Sequence, residues 1–475
     1  MTGSHGRAGH GNEEVGVTEQ GRAAEGDQTE GGAARPRRRP RRPWYVRQTP
    51  LPTSSFVPGP EPVEEKKASA LAAFRYRDFR LLWAGNFVVN MGGWMQTIAV
   101  SWLLRSSPMM LGSVYAAQYL PVLVLGPLGG VVADRRERRL VLMVTQAGIM
   151  ATAFTLALLS KLGHATPWAI ICVSAVTGLF FAFNSPAYQS LVPDLVPRRE
   201  IVNAVAMNSL GWNLSRVAGP SLGAAVYAAF GPTWAFSING VSYLVLIVAL
   251  SRMRVPRHEI DDEDTGTWHR LVQGLAYVRR HRRVATLLSA VGVISIFGLP
   301  FVVLLPVMAS KVLHRAVGGY GILMGATGVG AVLGVLTLAR SGARMPRRLV
   351  PWTLVGFGVS VLAFAMSRSF WVSAAFLIPA GGFYLASLTG ANSGVQLAVR
   401  ERFRGRVMSL YAMAFIGFIP IGSMLFGFIA RSTSAPFALT LGASGLIIGG
   451  SVLLAFPRLL EDRAVTAPRR RAPSR

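Results

Sequence analysis

Long runs of apolar residues recur along the chain, separated by short stretches that carry arginine. A helix rises about 1.5 Å per residue, so roughly 20 apolar residues in a row cross the ~30 Å hydrocarbon layer of a bilayer. Runs of that length fall at 79–104, 109–133, 139–160, 167–187, 201–229, 233–251, 285–309, 318–339, 349–367, 370–390, 406–430 and 435–456. The pattern predicts an all-α membrane protein with about 12 transmembrane helices, six on each side of the one long connection at 252–284.

The segments between the runs set the organisation. Residues 1–76 are rich in Gly, Pro, Arg and Glu, as in GGAARPRRRPRRP, and too poor in aliphatic runs to offset chain entropy by burial; a disordered basic tail is expected. The connection opens with an acidic patch at Glu259–Asp264 and continues as WHRLVQGLAYVRRHRR. There Leu271, Leu275 and Val278 recur at helical spacing, predicting an amphipathic helix on the membrane surface that acts as a linker. The expected division is a first six-helix bundle at 77–251, the linker at 252–284, a second bundle at 285–456 and a basic tail at 457–475. Of the 49 Lys and Arg residues, only Arg105, Lys161, Lys311, Arg315, Arg368 and Arg431 fall on one side of this layout, and Arg216 falls inside a run. All others lie on the opposite side, which places both termini and the arginine-bearing loops in the cytoplasm.

Composition agrees with lipid as the solvent: hydrophobic residues make up 51%, charged residues 15%, and mean hydropathy is +0.40. The net charge of +27 does not imply nucleic acid, because the arginines sit in separate short loops and form no continuous basic face. Cys172 is the single cysteine and lies in an apolar run, so neither a disulfide framework nor a thiolate metal site is expected. Lysine occurs only four times, consistent with arginine-rich coding in a GC-rich bacterium. The chain has no G-x-x-x-x-G-K-[ST], no H-E-x-x-H and no G-x-S-x-G, so no ATP motor, hydrolase or protease site is expected, and no cofactor or metal. All 22 acidic residues fall in tails, loops or run edges, which leaves the coupling ion open, since a membrane-embedded carboxylate is the usual proton carrier.

Three local patterns carry candidate chemistry. Asn184-Ser185 after the fourth run and Asn392-Ser393 after the tenth, leading through Gln189 and Gln396 into charged loops, suggest an internal repeat of two halves. GGVVADRRERR, between the second and third runs, holds Gly130, Asp134, Arg135, Arg138 and Arg139. Glycine permits close helix approach, and an aspartate at a helix end can accept bonds from another helix's N-terminal amides; the bland reading is an ordinary basic loop. RVAGPSLGAA places Gly219, Pro220 and Gly223 in the fifth run, where a Gly-Pro pair weakens the helical ladder, either as a functional element or as a plain kink.

Arg216 is the only charge well inside a run. By helical spacing it shares a face with Asn208, Ser209, Asn213, Gly219, Pro220 and Gly223, so it should face protein or a water-filled cavity. It either recognises an anionic or carbonyl-rich substrate or ties backbone carbonyls together. Asn86, Asn90 and Gln96 of the first run, with Gln118 and Tyr119 of the second and Asn184, are the other polar groups at membrane depth, as cavity ligands or interhelical bonders.

The Asp134 loop resembles the major facilitator signature G-x-x-x-D-R-x-G-R-R, with Glu137 where the second glycine would stand. RVAGPSLG is similar to the fifth-helix motif of exporters in that superfamily, with Ser215 and Ala224 at two glycine positions. AFNSPAYQSLVPDLVPRREIVNAVAMNSL, running into it, resembles the enterobactin-exporter-like branch, the transmembrane secretion effectors. The resemblance implies the major facilitator fold, with spans 1, 4, 7 and 10 lining a central cavity and spans 2, 5, 8 and 11 forming the seam. It further implies alternating access, with Asp134 docking near Gly405–Val407, in a monomer of the bacterial plasma membrane. The expected cargo is a small amphipathic molecule such as a siderophore, drug or secondary metabolite, moved outward. An uptake permease and a non-transporting receptor or scaffold are the alternatives.

Overall fold

The computed structural model describes residues 71–253, 267–340 and 348–460. Most of the expected N-terminal tail, the acidic patch at Glu259–Asp264 and the C-terminal tail beyond Leu460 lie outside the described residues. The described residues are helical throughout their long elements: α1 (Arg77–Leu103), α2 (Pro108–Arg135), α3 (Arg138–Lys161), α4 (Pro167–Asp194), α5 (Ile201–Phe230), α6 (Pro232–Ser251), α7 (Thr267–Arg280), α8 (Arg282–Val293), α9 (Pro300–Val307), α10 (Val317–Arg340), α11 (Leu349–Met366), α12 (Phe370–Ala398), α13 (Glu401–Ser432) and α14 (Ala435–Ala455). Helices α8 and α9 join through a π-helical turn at Ile294–Gly298, and a second at Met308–Val312 extends α9, giving one stretch, Arg282–Val312.

All twelve apolar runs fall in helical stretches, and ten of the described stretches are long and apolar enough to cross a membrane. The two outside that group are α1 and α5, which are 27 and 30 residues long and include Asn86, Asn90, Gln96, Asn208, Asn213 and Arg216. The π turns fit their sequence: Pro300 and Pro306 lack the N–H that a regular ladder requires, and the ladder widens beside them. Gly231, at φ 81°, supplies the left-handed residue that lets α5 turn straight into α6.

Residues Ala72–Arg75, which the sequence places in the tail, instead form a short 3-10 turn with Ala72 and Ala73 buried. The backbone N–H of Ala73 donates to Oδ1 of Asn203 at 2.9 Å, anchoring the turn on α5. The linker helix α7 packs against the start of α13: Tyr277 lies over Phe403 with centroids 4.8 Å apart, and its hydroxyl accepts from the Arg400 N–H at 3.3 Å. Val278 is buried there while Leu275 is exposed, so the apolar stripe is divided between protein and the outer surface.

Neighbour relations repeat along the chain. Helix α1 packs on α5 and α6, α2 on α4, and α3 on α4 and α6. In the later part, α8–α9 and the π turn between them pack on α13 and α14, α10 on α12, and α11 on α12 and α14. Each contact of the first six helices thus has a counterpart among the last. The two groups meet along two seams that are themselves counterparts, α2 with α13 and α5 with α10. Lipid offers no hydrophobic drive for helix pairing, so close contact rests on small residues; Gly129 faces the Ala182 backbone between α2 and α4, as Gly334 faces Gly382 between α10 and α12.

Candidate functional site

At the end of the molecule that carries the arginine loops, α2 stops at Arg135 and α3 starts at Arg138. Nη1 of Arg138 donates to the Asp194 carboxylate at 2.5 Å and to the Ser190 carbonyl at 3.2 Å, both at the end of α4. Nη2 of Arg139 donates to the Ser251 carbonyl at 2.8 Å, at the end of α6. These bonds tie the start of α3 to the ends of α4 and α6. Arg135 is exposed, and an added Cβ at Gly130 or at Gly405 would meet nothing within 4 Å. The side chain of Asp134, the expected docking group, lies outside what the structure describes.

On α5 the structure divides the face that helical spacing drew through Arg216. Gly211, Ser215, Gly219 and Gly223, four residues apart, are buried against α1, where Gly211 meets Trp83, Gly219 meets Trp94 and Gly223 meets Met95. Arg216 lies one residue, about 100°, round from Ser215. The single broad stripe is thus two adjacent stripes, because α5 is enclosed on two sides. Pro220 has no N–H to offer the Arg216 carbonyl. That carbonyl faces α10, where a Cβ at Gly328 would lie 2.7 Å from it.

The Arg216 guanidinium sits with Cζ 6.0 Å from the ring centroid of Tyr384 on α12. Tyr119 of α2 lies within electrostatic reach of both. Among the described residues Arg216 has no ion pair and no hydrogen bond, and it is half-buried. Arg216 is 14 residues from the end of α5 at Phe230, and Tyr384 is 14 residues from the start of α12 at Phe370, so both lie about 20 Å from the helix ends, near mid-membrane.

The remaining candidates separate. Trp83 against Gly211 and Trp94 against Gly219 set α1 beside α5, so Asn90 lies at the level of Arg216; its buried Nδ2 has no partner among the described residues. Asn86 is buried four residues earlier in α1. Asn213 bonds back to the Ser209 carbonyl at 2.8 Å, and Asn208 accepts from the Tyr188 hydroxyl at 2.5 Å, tying α5 to α4. Gln96 Oε1 accepts from Asn239 Nδ2 at 2.7 Å, joining α1 to α6. Asn184 likewise donates to Thr145 Oγ1 at 2.9 Å, joining α4 to α3. Tyr384 was not singled out by sequence reasoning. A tyrosine in a span otherwise apolar at that depth was the one available signal.

Both seams are tight at the end away from the arginine loops. Gly112 of α2 abuts the Ser423 backbone of α13, and Gly427 abuts the Pro108 carbonyl. Gly321 of α10 abuts Ala224 of α5. Nζ of Lys311 donates to the Ser106 carbonyl at 3.0 Å, and Trp102 stacks on Tyr320 at 6.1 Å. Toward the other end an added Cβ at Gly126, Gly130 or Gly405 has no neighbour within 4 Å.

Residues 68–474 match the family described as transmembrane secretion effector. The chain belongs to that family. As a transmembrane secretion effector it is a multi-pass membrane transporter of the major facilitator type. Its similar proteins include the staphyloferrin A transporter of Staphylococcus aureus, 23% identical over 73% of this chain and 88% of that protein. Macrolide efflux protein A of Streptococcus pyogenes is 23% identical over 73% of this chain and 88% of its own length. The enterobactin exporter EntS of Citrobacter koseri is 25% identical, over 69% of this chain and 78% of its own. Among solved structures, the nucleoside transporter NupG superposes with a TM-score of 0.65 at 13% identity, over 80% of this chain and 99% of that one. A bacterial homologue of the human lysosomal transporter Spinster, inward-facing and occupied, gives 0.65 at 13% identity, over 80% and 96%. At such identity these structures speak for the fold alone.

In this secretion effector the mid-depth groups therefore combine one unpaired cation, two phenol rings and an unpartnered amide. A phenol face and a guanidinium together hold a flat, partly apolar ligand, while the cation favours an anionic or carbonyl-rich one.

Proposed function

We propose that this transmembrane secretion effector exports small amphipathic molecules by alternating access between two six-helix bundles, at 77–251 and 285–456, joined by the cytoplasmic linker. The observation that carries the reading is the asymmetry of the seams around the Arg216 level: tight packing on one side, open space about Gly126, Gly130 and Gly405 on the other. A carrier must close one entrance while the other is open. With the arginine-bearing loops read as cytoplasmic, the open entrance and both termini face the inside of a bacterial cell, and in the export reading the arrangement is the loading state. In this reading the loop at Gly130, Asp134, Arg135, Arg138 and Arg139 is the cytoplasmic gate, with Arg138 and Arg139 as its anchors. Arg216, Asn90 and Asn213, with Tyr384 and Tyr119, line the site, and Gly219, Pro220 and Gly223 let α5 pivot against α1 and α10. The siderophore and macrolide transporters among its relatives support an amphipathic cargo.

The test is accumulation of a fluorescent dye panel in cells expressing wild type, Arg216→Ala or Asp134→Asn at matched membrane levels. Lower accumulation in wild type than in both variants is expected for at least one dye. Equal accumulation across the panel, repeated with a siderophore and a macrolide, removes the export reading.

A further inference from the structure

We infer that the cargo is an anion that pairs with Arg216, and that the membrane potential, rather than a proton gradient, drives its export; this rests on the export reading above. Arg216 is the one ionisable Lys, Arg, Asp or Glu in the middle of a described span. The acidic residues of the described helices sit at their ends: Asp78 at the start of α1, Asp134 and Asp194 at the ends of α2 and α4, Glu401 at the start of α13. Among the described residues no carboxylate stands at mid-depth to take a proton across or to neutralise the guanidinium. Tyr384, at 6.0 Å, offers a ring face but no countercharge. An uncompensated arginine at that depth is costly, so a bound anion is its natural partner.

The cycle then needs no second ion. The loaded carrier is neutral at its centre, so its reorientation is indifferent to the potential. Once the anion leaves outside, the empty carrier holds one positive charge at mid-membrane. The negative interior pulls that charge back toward the cytoplasmic side, which is the state seen here, open at the arginine loops. Each turn moves one negative charge outward, and 100 mV drives a monoanion to a ratio of about 50-fold, which is ~2.3 kcal/mol per charge.

The experiment uses the purified full chain in proteoliposomes with 2-naphthalenesulfonate, an aromatic monoanion that carries its charge at every working pH, and ethidium as the cationic comparison. A potassium gradient with valinomycin sets the interior 100 mV positive; a pH gradient at zero potential is the second arm. The expected result is accumulation of naphthalenesulfonate toward 50-fold under the potential and none under the pH gradient. The response is retained in part by Arg216→Lys and lost in Arg216→Gln, whose melting temperature and monodispersity match wild type. Transport of either probe that follows the pH gradient and ignores the potential, or transport of ethidium in place of the sulfonate, overturns the inference and leaves export standing. No movement of either probe under either gradient, by protein that melts cooperatively, overturns both.

Discussion

An alanine at Gly112 should unlatch the closed end. The position lies where α2 crosses α13, and a Cβ there would overlap the Ser423 carbonyl oxygen, with the carbonyl carbon 2.9 Å and the Met424 Cα 3.3 Å away. These are backbone atoms, so no rotamer change relieves the clash, and the helices must separate by roughly an ångström to reach ordinary contact distance. Overpacking of this kind costs about 1–3 kcal/mol. The clash exists only while this end is shut, so nearly the whole penalty falls on one of the two access states; at ~2 kcal/mol it shifts their ratio about 30-fold. Pulsed EPR on spin labels at Ser107→Cys and Ser432→Cys reads the separation of the helix ends, in a Cys172→Ser background because the native thiol is exposed. Wild type should give one short distance, and Gly112→Ala a second, longer population of comparable size or larger. Gly126→Ala, whose Cβ meets nothing within 4 Å, should leave the distribution as in wild type. Equal distributions for wild type and Gly112→Ala, or an equal response to Gly126→Ala, would refute the reasoning.

Other outcomes follow from the same geometry. Arg138→Met strands the Asp194 carboxylate, whose side chain is 27% exposed, and should cost ~2 kcal/mol, discounted from a fully buried pair; Arg138→Met with Asp194→Leu should melt above the single variant. Gly219→Leu drives a side chain into Trp94, so α1 and α5 should separate, with a fall in melting temperature larger than that of Gly130→Leu, where the space is open. Asn239→Ala should lower stability by ~0.6 to 2 kcal/mol through loss of the bond to Gln96 while leaving dye export intact, which would separate Gln96 from the binding residues. Tyr384→Leu should weaken binding of an aromatic cargo more than Tyr384→Phe does, because the ring face rather than the hydroxyl meets Arg216.

The spans were legible because hydrocarbon imposes one simple demand, about 20 apolar residues with every backbone group satisfied within the helix. Their ends were less so: α4 runs to Asp194 and α13 starts at Glu401, beyond the apolar runs, since a helix can continue into the polar interface where hydropathy no longer marks it. The 3-10 turn at Ala72–Arg75 was hidden for a different reason. It is tied to the bundle by a bond to Asn203, 130 residues away, and by the packing of Phe74 on Phe79 and Trp83, and no local pattern announces those partners.

The candidate site shows the same division between local pattern and distant contact. Arg216 stood out in the sequence because a lone charge in an apolar run is expensive wherever it points. Tyr119 was visible as a polar group at membrane depth, but its nearness to Arg216 was not, and Tyr384 did not stand out at all, because the two come from α2 and α12 and only the packing of separate helices brings them to one level. Helical spacing also merged two neighbouring stripes of α5 into one, since a 100° step per residue cannot tell a face that packs on α1 from the adjoining one that meets α10. The division matters mechanically. The small-residue stripe Gly211, Ser215, Gly219 and Gly223 holds α5 to α1 within one half, while the Arg216 carbonyl, freed by Pro220, sits on Gly328 across the seam. Any displacement of α5 against α10 must therefore displace the guanidinium as well, which is what the proposed carrier cycle needs if binding at Arg216 is to choose between its access states.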